Sequence, residues 1–291
     1  MRLAPAAIVP ALLTPYDADG AVDRDAVRAH VGWLVERGVD GIMPCGTTGE
    51  TALLSDDEVV EVVEAVVAGA GGSVPVIAHV GRPGTAATIA LGRRALDAGA
   101  AAVSAVVPYY HVLDPAMVLA HYRALMDAFG PERTLAYCIP SHGINVLHPE
   151  GLAVLARAGL AGFKDSTMSA DDHDAYVAAV RATGRDDFAL LVGLGALLVR
   201  SLRAGSAGAV LGIANLKPEL AVAVRDAVRA GDDDAAGRLQ AELAETEAAL
   251  MAFPDLKRAV AERLRADAGI AYGPEMRAPL GAAGLPVAQR A

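Results

Sequence analysis

The stretch LAGFKDS at residues 160–166 is a short apolar run that ends in a lysine and an aspartate. An apolar run of this length is typical of a strand buried on both faces of a parallel sheet. Helical patterns lie on either side of it, at residues 149–157 and 169–182. The stretch therefore predicts the strand of a β–α unit, with Lys164 at the end of that strand.

The same alternation of a short apolar strand and a longer amphipathic helix is repeated along residues 7–216. Eight strands are predicted, at residues 7–13, 40–45, 74–79, 101–107, 134–139, 160–164, 188–192 and 207–211. Eight β–α units in a row close into a barrel, so the predicted fold class is α/β, a (β/α)8 TIM barrel. A doubly wound open sheet is the alternative. It requires a phosphate-binding glycine loop after the first strand, and TPYD at residues 14–17 is not such a loop.

The pattern changes at residue 217, where strands stop and three helices are predicted at residues 218–230, 234–251 and 254–266. We therefore predict a barrel at residues 1–216, which carries the active site. Residues 217–291 are predicted to be a C-terminal helical extension, or appendage, packed on the barrel.

The composition excludes several classes of protein. A formal net charge of −10 argues against a nucleic-acid partner and against anionic membrane surfaces, since both need clustered Lys and Arg. Two cysteines give neither a disulfide framework nor zinc spacing. The N-terminal residues do not read as a signal peptide, and no apolar run reaches the ~20 residues of a membrane helix. A cytoplasmic protein is expected.

Lys164 is one of three lysines, and the other two have ordinary explanations. Lys217 precedes Pro218 at a predicted helix start, and Lys257 lies in an amphipathic helical pattern. A site of low dielectric constant lowers the pKa of an amine, and the neutral amine attacks carbonyl carbons. Arginine stays protonated and does not do this. Lys164 is therefore a candidate nucleophile; the alternative is a strand-end lysine paired with Asp165.

Other polar side chains stand at the ends of neighbouring predicted strands, where barrel active sites lie. The turn GTTGE at residues 46–50 offers two hydroxyls and several backbone N–H groups, which suit a carboxylate. Its alternative is an ordinary glycine turn with a threonine cap. Tyr137, on the strand before that of Lys164, is a candidate proton carrier or else a core tyrosine with a satisfied hydroxyl.

Four motifs occur in order at these strand ends: GTTGE at residues 46–50, PYY at 108–110, YCIPS at 137–141 and GFKDS at 162–166. In this combination the chain resembles the dihydrodipicolinate synthase and N-acetylneuraminate lyase superfamily. The resemblance covers residues 5–215, and the helical tail fits it as well.

The resemblance implies a Schiff-base-forming lyase or aldolase that condenses a small 2-oxo acid such as pyruvate with an aldehyde, or cleaves the product. Lys164 would form the imine, so no metal or organic cofactor is required. Tyr137 would carry protons through a relay with Thr47. In the family a neighbouring subunit completes the relay, and Tyr110 matches that position. This implies a homo-oligomer, by family habit a tetramer built as a dimer of dimers.

The substrate-binding residues predicted in this way are Gly46, Thr47, Thr48, His142 and Leu211. His142 stands where the dihydrodipicolinate branch has an arginine that binds the carboxylate of the second substrate. Gly193 is followed by Leu194 rather than by the acidic residue of the sugar-acid branches. These departures predict a more apolar second-substrate pocket.

Two further hypotheses follow from the sequence. The first is 4-hydroxy-tetrahydrodipicolinate synthase, which condenses pyruvate with aspartate semialdehyde. The second is a non-catalytic barrel that senses a 2-oxo acid.

Overall fold

The computed structural model describes residues 3–250 and 252–281. Within them, seven parallel strands form a sheet in the spatial order β1-β7-β6-β5-β4-β3-β2. The strands are β1 Ala7–Pro10, β2 Ile77–His79, β3 Ala102–Val106, β4 Thr134–Cys138, β5 Gly162–Asp165, β6 Ala189–Val192 and β7 Gly208–Leu211. The helices are α1 Arg24–Glu36, α2 Asp56–Ala70, α3 Thr85–Asp97, α4 Pro115–Phe129, α5 Pro149–Arg157, α6 Ala170–Arg181, α7 Leu198–Arg203, α8 Pro218–Ala230, α9 Asp233–Ala249 and α10 Phe253–Ala268.

The predicted second strand, residues 40–45, is not a regular strand, and that part of the prediction is wrong. Ile42 and Met43 instead form isolated parallel bridges, to Val76 and Ala11 respectively. Prolines at positions 10, 44 and 75 lie in this region and have no N–H to donate, so a continuous ladder cannot form. The two bridges still connect β1 to β2 through residues 42–43 and complete the barrel.

Alternation along the strands separates two layers of core. Every second side chain of a strand packs between the strands and the helices, as Phe163 does. The others point to the barrel axis, where a small apolar layer includes Leu135, Leu191 and Val210. Lys164 pairs in register with Tyr137 on one side and Leu191 on the other, so all three lie on the axial face of the sheet.

The three C-terminal helices lie close to the ranges predicted for them. Helix α8 contacts β1 and α7, and α9 packs along α8. Placing the end of the barrel at residue 216 stays a prediction, because α8 belongs as much to the ring of helices around the strands as to the extension. None of the helices described here is long and apolar enough to cross a membrane.

Candidate active site

Lys164 lies at the carboxyl end of β5 and lines a cavity of about 230 Å³ at the mouth of the barrel. Its side chain is buried, with 4% of the residue exposed. The Nζ atom stands 4.3 Å from the centroid of the Tyr137 ring. The alternative interpretation, in which Lys164 pairs with Asp165, does not hold, because Asp165 points to the other face of the strand and binds His173.

Tyr137 brings a hydroxyl to the same cavity from β4. Its OH lies 3.2 Å from the Thr47 Oγ1, and either oxygen can donate that hydrogen bond. The ring is buried, and the His79 ring stands against its edge with the centroids 5.8 Å apart. The predicted link between Tyr137 and Thr47 is therefore present as a contact.

The GTTGE turn delivers Thr47 and Thr48 to the cavity, which both line. The turn is tight: the Glu50 N–H donates to the Thr47 carbonyl, and Glu50 takes a left-handed conformation at φ +64°. A Cβ at Gly49 would lie 2.7 Å from the Leu12 carbonyl oxygen, so only glycine fits there. The glycine thus allows the turn to pack directly on the backbone after β1.

A buried ion pair holds this turn from beneath. The Lys257 Nζ of α10 donates to the Glu50 Oε1 at 2.8 Å, and both side chains are 0% exposed. The other carboxylate oxygen of Glu50 accepts from the Arg277 backbone N–H at 2.8 Å. Burial lowers the pKa of Lys257, while the Glu50 carboxylate opposes that effect. Lys257 is therefore a structural link between the helical extension and the site, which its amphipathic pattern did not predict.

Three other predicted residues have different fates. His142 lines the cavity, and its Nδ1 lies 2.9 Å from the Ser141 Oγ. Leu211 does not line it: alternation along β7 turns Leu211 into the outer core, while Val210 and Gly212 face the cavity. The structure thus places Leu211 outside the cavity lining, and its assignment to substrate stays a prediction. Gly46 is not part of the cavity lining either; its carbonyl accepts the Thr51 N–H and shapes the turn.

Tyr110 lies outside the cavity of its own chain. It is 81% exposed and adopts φ +84°, a conformation that costs energy for a residue with a bulky side chain. Its ring packs against the edge of the His111 ring. An exposed aromatic residue in a strained loop is consistent with a contact to another chain.

A buried hydrogen-bonded chain behind Lys164 was not predicted. The Asp165 carboxylate accepts from the His173 ring at 2.7 Å, and the other ring nitrogen lies 2.8 Å from the Ser201 Oγ. The order of residues resembles a hydrolase triad, but all three side chains are buried under helices α6 and α7. Asp165 also accepts from the Thr167 N–H and hydroxyl. These hydrogen bonds therefore hold in place the loop that follows Lys164.

His79 is a second group that burial affects strongly. Burial lowers its pKa from 6.5 to about 3, and its Nε2 accepts a hydrogen bond from the Val106 N–H. His30 and His121 are also buried, and burial lowers the pKa of each to about 4. These histidines stay neutral at pH 7.

We expect these histidines to destabilise the protein in mild acid. Their pKa is lower in the folded chain than in the unfolded chain, so stability is full above pH 6.5 and is lost as the pH falls toward the folded values. At about pH 5, each of these histidines lowers the free energy of unfolding by about 2 kcal/mol. Urea unfolding at several pH values measures this. His79→Gln should make the free energy of unfolding depend less steeply on pH. The control variant His111→Gln, at an exposed position, should leave that dependence unchanged.

Known proteins of one family resemble this chain over nearly its whole length. The profile of the dihydrodipicolinate synthetase family matches residues 4–286. An uncharacterized DapA-like lyase of Halobacterium salinarum is 38% identical over 248 residues, which are 85% of this chain and 80% of that protein. The 4-hydroxy-tetrahydrodipicolinate synthase of Natronomonas pharaonis is 35% identical over 237 residues, or 81% and 79%.

Solved structures show the same architecture. The crystal structure of dihydrodipicolinate synthase from Aquifex aeolicus superposes with a TM-score of 0.84 at 26% identity, covering 94% of this chain and 92% of that one. YagE from E. coli K12, solved in complex with pyruvate, superposes with a TM-score of 0.87 at 24% identity and the same coverage. The second likeness concerns the fold alone.

The fold and these relatives define a (β/α)8-barrel lyase with a helical C-terminal part. Enzymes of this kind bind pyruvate as a Schiff base on a lysine. The chain belongs to the dihydrodipicolinate synthetase family, as the four motifs predicted. That membership argues against the hypothesis of a non-catalytic sensor.

Proposed function

We propose that the protein is an imine-forming aldolase that joins pyruvate or a related 2-oxo acid to an aldehyde, or cleaves the product of that reaction. The observation that carries this proposal is the buried Lys164 amine beside Tyr137 in a cavity lined by two threonine hydroxyls. A nucleophile, a proton carrier and donors for a carboxylate thus share one space.

The reaction begins when the Lys164 amine attacks the keto carbon of the 2-oxo acid. The adduct loses water and becomes a protonated imine, which withdraws electrons from the neighbouring carbon. A proton then leaves the methyl group, and the resulting enamine carbon attacks the aldehyde carbon. Water finally hydrolyses the imine, which releases the product and restores the amine.

The other residues of the site serve these steps. Thr47 and Thr48 hold the carboxylate of the 2-oxo acid through their hydroxyls and backbone N–H groups. The Tyr137 hydroxyl moves protons to and from the reacting carbons, and its contact with the Thr47 hydroxyl at 3.2 Å passes them on. His142 faces the space for the second substrate.

We further propose that Tyr110 of a second copy completes this relay. A second cavity, of about 320 Å³, adjoins the site and shares Thr47 and His142 with it. Tyr109 also lines this second cavity, and the next residue, Tyr110, is exposed. We propose a homotetramer built as a dimer of dimers, which is the family's habit. Light scattering that shows a monomer would remove the role of Tyr110.

Trapping with borohydride tests the proposed function directly. The protein is mixed with pyruvate and sodium borohydride, digested and analysed by mass spectrometry. We expect one reduced pyruvyl group, and we expect it on the peptide that carries Lys164. An unmodified Lys164, or a label spread over Lys217 and Lys257, would contradict the proposal.

Removing the Tyr137 hydroxyl should slow proton transfer without preventing imine formation. We expect Tyr137→Phe to lower kcat by about 10²- to 10³-fold, the usual size of a general acid–base contribution. The pyruvyl adduct on Lys164 should still form under borohydride. Stopped-flow kinetics and exchange of the pyruvate methyl protons measure the two effects. A variant with an unchanged rate of exchange would show that another group carries the proton.

The second candidate function is 4-hydroxy-tetrahydrodipicolinate synthase, the name of the relative from Natronomonas pharaonis. His142 in the cavity is a weaker binder of a second carboxylate than an arginine. We therefore expect poor turnover of pyruvate with aspartate semialdehyde. Turnover comparable to that with the best aldehyde would favour this candidate over the first.

A further inference from the structure

Glu247 brings a carboxylate into the cavity from the helical extension. It lies near the end of α9 and lines the same cavity as Lys164. Its Oε1 accepts the Gly195 N–H at 3.0 Å, and its Oε2 accepts the Ala196 N–H at 3.1 Å. Both donors stand in the loop after β6, so two regions of the chain hold this one side chain in place.

The other residues of the extension that line the cavity are apolar. Leu250, Phe253 and Leu256 line it from the extension, and Met168 lines it from the loop after β5. Among the described lining residues, Glu247 is the one carboxylate. Burial raises the pKa of Glu247, and the two N–H groups oppose this. A carboxylate beside apolar side chains has a strong need for hydrogen-bond donors.

The donors present leave part of that need unmet. Each carboxylate oxygen accepts one backbone N–H, and each has capacity for a further hydrogen bond. A second carboxylate from a substrate would be repelled at this position. An ammonium group would pair with the Glu247 carboxylate, but it would share the cavity with the positive charge of the imine on Lys164. A neutral hydroxyl group satisfies the open positions without either penalty.

We propose that Glu247 determines the choice of second substrate, so that the enzyme takes an aldehyde with a hydroxyl group remote from the carbonyl and disfavours one with a carboxylate there. This inference rests on the proposed function and names the class of its aldehyde. Because Glu247 contacts substrate rather than the reacting carbons, it governs binding of the aldehyde and not formation of the imine.

The test uses three short aldehydes with pyruvate as the other substrate: glyceraldehyde and propanal, which have the same number of carbons, and succinic semialdehyde, which has one carbon more. For the unaltered enzyme, kcat/KM should be higher with glyceraldehyde than with propanal, and higher with glyceraldehyde than with succinic semialdehyde. Glu247→Gln should lower kcat/KM for glyceraldehyde by about 10- to 100-fold, the range for a hydrogen bond to a charged group. The same variant should change kcat/KM for propanal less than about threefold, since that aldehyde has no hydroxyl.

Gln240→Ala is the matched control. Gln240 lies on the same helix and anchors the same loop, since it donates to the Gly195 carbonyl and also accepts the Val199 N–H at the start of α7. It does not belong to the cavity lining. If Gln240→Ala reproduces the selective loss, Glu247 acts by holding the loop and the proposal is overturned.

Two other outcomes also overturn the proposal. One is an equal loss with both aldehydes in Glu247→Gln. The other is a preference of the unaltered enzyme for succinic semialdehyde, which needs no variant to fold. Borohydride trapping separates this inference from the proposed function. If the unaltered enzyme forms no pyruvyl adduct, the proposed function is contradicted. If the adduct is normal but the enzyme does not prefer the hydroxylated aldehyde, only the role of Glu247 is contradicted.

Discussion

Replacing Lys164 by methionine should lower the rate of exchange of the pyruvate methyl protons by at least about 10⁴-fold, because a covalent mechanism loses most of its acceleration with its nucleophile. Methionine keeps the length of the buried side chain and adds no charge to the cavity. The expected result therefore combines a folded protein with the loss of the borohydride adduct. Proton NMR of pyruvate in D₂O measures the exchange, and mass spectrometry measures the adduct.

Lys217→Arg is the control for this variant. Lys217 stands at the start of α8, and it is not among the residues that line the cavity. We expect full exchange and a normal adduct in that variant. Lys164→Arg should be as inactive as Lys164→Met, since a guanidinium stays protonated and does not attack a carbonyl. Residual exchange within tenfold of the unaltered enzyme would show that imine formation on Lys164 is not the mechanism.

The second large effect is on stability and arises at the ion pair between Lys257 and Glu50. Lys257→Met should lower the free energy of unfolding by about 3–5 kcal/mol, because it leaves a buried carboxylate without its charged partner. The loss should also weaken binding of the 2-oxo acid, since Glu50 ends the turn that carries Thr47 and Thr48. Denaturant unfolding and the KM for pyruvate measure the two effects.

The double variant Glu50→Gln with Lys257→Met shows whether the uncompensated charge is the cause. We expect it to recover part of the lost stability, because an amide costs less to bury than a carboxylate. Arg258→Met is the neighbouring control: Arg258 pairs with Asp255 at the surface, where both side chains are more than half exposed. That change should cost less than about 1 kcal/mol. Equal losses at positions 257 and 258 would contradict the account.

The local features of the fold were predictable from the sequence. The Ser55 and Glu58 capping box starts α2, and Asp114 caps α4 with Pro115 at its first position. Such signals involve residues three or four apart, and their geometry depends little on the rest of the chain. The order of strands and helices is equally local, which is why the barrel was predictable from periodicity.

The differences between prediction and structure have a different origin. Leu211 is predicted to bind substrate, yet Val210 and not Leu211 lines the cavity, because a one-residue change of phase turns every side chain of a strand to the other face. The predicted second strand does not form a regular ladder. A ladder continues only where the neighbouring segments also supply backbone N–H donors. Three prolines in the neighbourhood remove those donors, and two of them lie outside the predicted segment itself.

The sequence by itself determined the class of fold, the end of β5 as the place of Lys164, and the family. These depend on patterns within single β–α units and on motifs of a few residues. Only the tertiary structure decided that Glu247 enters the cavity of Lys164 and that Lys257 holds Glu50, 207 residues away along the chain. Contacts between such distant residues follow from how helices pack on the closed barrel, and periodicity along the chain contains no information about them.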